Sequence, residues 1–120
     1  MSHIPNLVSI HPYFKIKPGK ADEFKASLPA FIAKTATEKL NLFYDFTIHD
    51  DVVLCREGYV GAEGLLTHLD GVGPLLGPLM TLADLVRVEV HGPAAELEKL
   101  KGPLAALNPT WHTRLLGVER

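Results

Sequence analysis

The sequence predicts an α+β domain of the ferredoxin-like kind, built in the order β-α-β-β-α-β with a C-terminal extension. Three observations carry that prediction. Two-residue hydrophobic alternation recurs in four stretches, and helical periodicity fills the first and third gaps between them. Gly and Pro pairs punctuate the joints. At the centre, Asp45 to Asp70 reads as a strand, a tight turn at His49-Asp50-Asp51, a returning strand and a helix carrying His68. A hairpin feeding a helix is the middle of a split β-α-β design, and the outer elements must cover it.

The first strand is expected over Leu7 to Ile16, with Val8, Ile10, Phe14 and Ile16 on one face. Pro12 lies on that face and lacks a ladder donor, which predicts a bulge or an unpaired position. Lys17-Pro18-Gly19-Lys20 breaks the strand. Asp22 and Glu23 follow where a helix N-terminus favours negative charge. Phe24, Leu28, Phe31, Ile32 and Thr35 form the stripe of this helix, which is expected to run to Lys39 with a kink at Pro29. Leu42, Tyr44, Phe46 and Ile48 share a face of the second strand. The short turn at Asp50-Asp51 makes the third strand, Val52 to Tyr59, return antiparallel. Its phase is open: Val52, Leu54 and Arg56 face one way, and Val53, Cys55, Glu57 and Tyr59 the other.

Gly61 opens a helix with Ala62, Leu65, Leu66 and Leu69 as its stripe and His68 on the flank. Gly71 to Pro74 is expected to end it, with a second short helix from Pro74 through Thr81 covering a cleft. Asp84 to His91 is the fourth strand, with Val86, Val88 and Val90 on one face. A helix over Ala94 to Lys101 and a short strand from Thr110 to Leu116 complete the chain. One domain spans residues 1–120, with its core over 7–91 and the extension over 92–120.

Composition bounds the function. A chain of 120 residues that is 47% hydrophobic buries a core without disulfides, and the single Cys55 fits a reducing compartment. Net charge is -2 with scattered Lys and Arg, so no nucleic-acid backbone is an expected partner. No apolar run reaches the length of a membrane span. Met1 to Asn6 lacks the pattern of a signal peptide, so a soluble, cytoplasmic protein is expected.

Right-handed crossovers give the sheet order 4-1-3-2, with both main helices on one face. The opposite face is then expected to carry Leu7, Tyr13, Phe43, Val53 and Leu85. That much apolar surface calls for a second copy packed sheet to sheet, with His11, Glu57, Arg87, Glu89 and His91 at or near the interface.

Lys17-Pro18-Gly19-Lys20 with Phe24, Asn41-Leu42-Phe43-Tyr44, and Cys55-Arg56-Glu57-Gly58-Tyr59 followed by Leu65 to Leu69 with His68 resemble the antibiotic-biosynthesis-monooxygenase-like family over Leu7 to His91. The resemblance implies a homodimeric α+β barrel and cofactor-independent oxygenation of quinols or other aromatics by O₂. Some relatives bind haem, and many have no assigned activity. Lys39-Leu40-Asn41 replaces the family's Gly after the first helix, and Gly71 to Pro78 and the tail also depart from the short members.

The expected pocket lies between sheet and helices. His68 is the candidate base and Tyr44 its catalytic companion. Arg56 is the candidate cation for a phenolate, and Phe14, Phe46, Leu69, Leu76 and Leu79 are candidate apolar walls for a small aromatic or hydrophobic ligand. Each has a plainer alternative: His68 bonding a loop carbonyl, Tyr44 packing in the core, Arg56 as a solvated strand charge. A non-catalytic ligand-binding homodimer and a haem-binding relative are the competing functions. No resident cofactor or metal is assigned. His11 and His91 on adjoining strands, with Glu57 or Glu89, make a His/His/carboxylate set that reads more simply as paired interface groups. Cys55 reads as an inert thiol, and Gly71-Val72-Gly73-Pro74 is no phosphate loop.

Overall fold

The computed structural model describes residues 6–118; the N-terminal reading of Met1 to Pro5 lies outside them. Its elements are β1 (Leu7–Ile16), α1 (Ala21–Thr35), β2 (Asn41–His49), β3 (Val52–Val60), α2 (Gly61–Leu79), β4 (Ala83–Gly92), α3 (Ala94–Lys101) and β5 (Thr110–Thr113), with a 3₁₀ turn at Ala105–Leu107. The sheet order is β2-β3-β1-β4-β5. The first four strands are antiparallel in the expected arrangement, and β5 adds to β4 in parallel.

One sheet face packs on the helices. Val8, Ile10, Phe14 and Ile16 are all buried, as the alternation of β1 requires. β3 resolves its phase with Val53, Cys55, Glu57 and Tyr59 inward, because Val53 pairs with Phe14 and Glu57 with Ile10. Val53 therefore leaves the opposite face to which the sequence reading assigned it. Leu85 leaves it too. A register shift between Tyr13 and Phe14, one residue beyond Pro12, sets Leu85 opposite Phe14 and packs it against the core. The extra residue, Val86, is 55% exposed instead of inward.

Two helix boundaries also differ from expectation. α1 ends at Thr35, and residues 36–40 form turns that lead into β2. α2 runs unbroken through Gly71, Pro74 and Pro78. A proline costs a helix about 3 kcal/mol through its missing donor and ring clash. Val72 and Leu79 are deeply buried in the core beneath that half of the helix, which offsets the loss and holds the rod together. Gly61 starts α2 at φ 68°, a conformation suited to glycine. The next amide, Ala62 N–H, donates to Glu96 Oε1 of α3 at 2.9 Å, tying the C-terminal extension to the N-terminus of α2. Leu97, Leu100 and Leu104 continue that attachment into the core, with Trp111 packed on the same cluster.

Candidate functional site

Between the inner sheet face and α2 lies a partly open cavity of about 250 Å³. That is slightly below the ~300 Å³ at which drug-sized pockets begin, so it suits a small ligand. Its walls are overwhelmingly apolar, with Phe14, Phe46, Val72, Leu76, Leu79 and Leu85 among them. Leu107 of the 3₁₀ turn also lines it, so the extension contributes to the pocket. The polar groups come from three strand positions and one helix position: Tyr44, Cys55, Glu57 and His68.

Strand alternation explains the first three. Tyr44 lies across from Glu57 and Phe46 across from Cys55, so all four project toward the helices. His68 arrives from α2 three residues after Leu65 and four before Val72, on the buried stripe. It is 2% exposed. His68 Nδ1 lies 3.0 Å from Oε1 and 3.1 Å from Oε2 of Glu38, in the turn after α1. His68 Nε2 lies 3.3 Å from Oε1 of Glu57. Tyr59 O–H donates to the same Glu57 oxygen at 2.6 Å. The Tyr44 ring packs 5.2 Å from the His68 ring, centroid to centroid. A carboxylate only accepts, so His68 donates its Nδ1–H to Glu38 and turns the Nε2 lone pair toward Glu57.

Burial dominates the electrostatics. It pushes the Glu57 carboxyl up to about 7, although the Tyr59 hydroxyl and the Cys55 thiol pull it down. Burial lowers His68 below its ordinary value, and the Glu38 carboxylate acts against that. Tyr44, Tyr59 and Cys55 are all held protonated, chiefly by burial and then by nearby acidic groups. The arrangement is a carboxyl–imidazole–carboxylate set in a partly open, apolar cavity, with one end able to give or take a proton near neutral pH.

The expected residues divide sharply. Tyr44, His68, Phe14, Phe46 and Leu76 all line the cavity. Arg56 does not. It alternates to the far side of β3, where it forms a bidentate pair with Asp45 at 2.9 and 2.8 Å, in solvent. Glu57 is the reverse correction: expected near a subunit interface, it is the carboxyl at the heart of the cavity. His68 bonds the Glu38 carboxylate in place of a loop carbonyl and approaches Glu57 at 3.3 Å. Glu38 and Tyr59 were not anticipated as site residues. The signal for Glu57 was present, since it shares its phase with Val53, Cys55 and Tyr59. Glu38 comes from a turn, for which periodicity carries no signal.

No model of a known protein family matches the chain, and no curated protein matches it. Solved structures do. MupZ from Pseudomonas fluorescens is 39% identical, with a TM-score of 0.91 over 95% of this chain and 94% of that one. A structure described as an antibiotic biosynthesis monooxygenase is 18% identical, with a TM-score of 0.61 over 69% of this chain and 92% of that one. A mutant of SnoaB, a cofactor-independent oxygenase from Streptomyces nogalater, is 15% identical, with a TM-score of 0.58 over 70% and 87%. These last two share the ferredoxin-like fold. With MupZ as a relative over nearly its whole length, the chain belongs to the family of MupZ, and it shares the fold of the antibiotic-biosynthesis-monooxygenase-like proteins.

Proposed function

We propose that this protein is a small-molecule enzyme in which the Glu57–His68 pair removes a proton from a hydroxyl of a compact, mainly apolar substrate. The observation that supports this most is the 3.3 Å approach of His68 Nε2 to Glu57 inside an apolar cavity, with Glu38 behind the imidazole. Before turnover the pair holds a neutral imidazole and an ionised Glu57. The substrate proton joins the pair, and Glu38 fixes the ring so that Nε2 faces it. Tyr44, beside the imidazole and held protonated, is placed to donate a hydrogen bond to the substrate oxygen.

In the form that the resemblance implies, the substrate is a phenol or quinol; the second reactant is O₂, as the description of SnoaB as a cofactor-independent oxygenase suggests. The phenolate gives one electron to O₂, and the two radicals combine at carbon. The resulting peroxide loses water to leave a quinone: phenol plus O₂ gives quinone plus H₂O, with no resident cofactor. An apolar pocket protects such species from water. The second reading is proton transfer alone, without O₂. It is favoured by the same pair and by a lining that, among the described residues, holds no Lys or Arg.

Oxygen uptake with a panel of phenols and quinols, run beside anaerobic turnover, separates the two. Consumption of one O₂ per quinone supports oxygenation, and product formed equally without O₂ supports the second reading. Ligand binding without turnover in either atmosphere contradicts both and leaves a binding protein. We also propose a homodimer, since Leu7, Phe43 and Val86 stay exposed on the sheet. A sedimenting mass of twice the chain supports it, and a monomer contradicts it.

A further inference from the structure

A second grouping of ligand-type side chains lies outside the cavity. Register sets it: His91 of β4 pairs with His112 of β5, Glu89 with Thr110, and His11 of β1 with Glu89. All of these alternate away from the buried Val88 and Val90. One ligand atom each from Glu89, His91 and His112 lies within 4.8 Å of the others. His91 Nε2 is 3.1 Å from Glu89 Oε1, and the His91 and His112 rings stack with centroids 4.3 Å apart.

We propose that Glu89, His91 and His112 form a site for a borderline divalent transition metal, Zn²⁺ above all, that fastens the C-terminal strand to the sheet. Two imidazoles and one carboxylate are a donor set that zinc accepts, with water in the fourth position. That water has room: His91 and His112 border a hollow with Ser9, Thr113 and Leu7. Tetrahedral bonds of ~2.1 Å place ligand atoms ~3.4 Å apart. Rotation about the soft χ2 torsions of the two rings supplies the contraction from the present spacing. The surrounding hydroxyls are placed to hold the rings. Thr110 Oγ1 lies 2.8 Å from His112 Nε2, and Ser9 Oγ lies 2.9 Å from Nε2 of His11, whose ring meets His91 edge-on. β5 is only four residues long, so a bond from His112 to β4 side chains adds an anchor that its short ladder lacks.

The site is independent of the cavity, and so is its test. Untagged, chelator-treated protein is titrated with Zn²⁺ by calorimetry and with Co²⁺ by visible absorption. The fluorescence of Trp111, the sole tryptophan and the neighbour of His112, is followed with Co²⁺. The expected result is one metal per chain with a Kd at or below ~10 μM, visible Co²⁺ bands and a change in Trp111 emission. His91→Ala, His112→Ala and Glu89→Gln each weaken binding at least ~tenfold. His49→Ala, at the distant hairpin, and Glu57→Gln, in the cavity, leave it unchanged. Circular dichroism confirms that each variant is folded, and Glu89→Gln serves as the mildest change. No binding at ~100 μM, or equal binding by the folded His91→Ala/His112→Ala double variant, overturns the proposal.

Discussion

Glu57 and Glu89 flank consecutive residues of β1: Glu57 pairs with Ile10 and Glu89 with His11. Both have histidine partners, yet their chemistry diverges because the sheet turns one inward and the other outward. Glu57 sits under α2, where burial drives its carboxyl to about 7. Glu89 is held below the usual carboxylate range by hydrogen bonds from His91 and Arg87. The same residue types become a carboxyl that titrates near neutrality on one face and a hydrogen-bonded carboxylate held below its usual range on the other. The strand phase decides which, with no change in composition.

The largest expected effect breaks the inward half of that contrast. Glu57→Gln removes the ionisable end of the set while keeping its shape, so kcat/KM falls by about 10²–10⁴, in keeping with lost general acid–base catalysis. On the proposed mechanism, kcat/KM of the unmodified protein is expected to rise with pH through about 7, as Glu57 gives up its proton. A pH–rate profile of the two proteins checks both statements. Glu38→Gln comes next. It acts through His68, so it lowers kcat by about 10–100-fold and moves the pH profile, with substrate KM little changed.

Stability follows from the same shift. Folded Glu57 keeps its proton up to about pH 7, whereas the unfolded chain releases it near 4.5. Between those values the native state binds more protons, so stability falls as pH rises, by at most about 3 kcal/mol. His68 is depressed below 6.5 and opposes this, adding stability as pH rises toward 6.5. Urea unfolding of Glu57→Gln from pH 5 to 8 is expected to lose the downward trend and keep the upward one. Leu79→Ala enlarges the cavity wall and is expected to cost about 2–5 kcal/mol, read by the same unfolding curves. Arg56→Ala is the smallest change. With its partner Asp45 in solvent, activity stays within about twofold.

Much of the architecture was legible because alternation survives in isolation. The four strand stretches, the sheet order and the Ala94–Lys101 helix all follow from periodicity and Gly/Pro punctuation. The failures are where long-range packing overrides local pattern. Pro74 and Pro78 read as a break, but Val72 and Leu79 hold α2 together. Val86 read as inward, but the shift beside Pro12 turned Leu85 inward instead. In the site, His68 and Tyr44 were legible from their faces. Arg56 and Glu57 exchanged roles because β3 offers two phases; the Val53, Cys55 and Tyr59 face hinted at the inward one, and the pairing with β1 decides it.

The central claim is that Glu57 holds a proton near neutrality inside the cavity. Carbon-13 NMR titration of the glutamate side-chain carboxyls, assigned through Glu57→Gln, measures it directly. One carboxyl titrating near pH 7 and missing from the variant is the expected result. Titration of every glutamate near 4.5 contradicts the account.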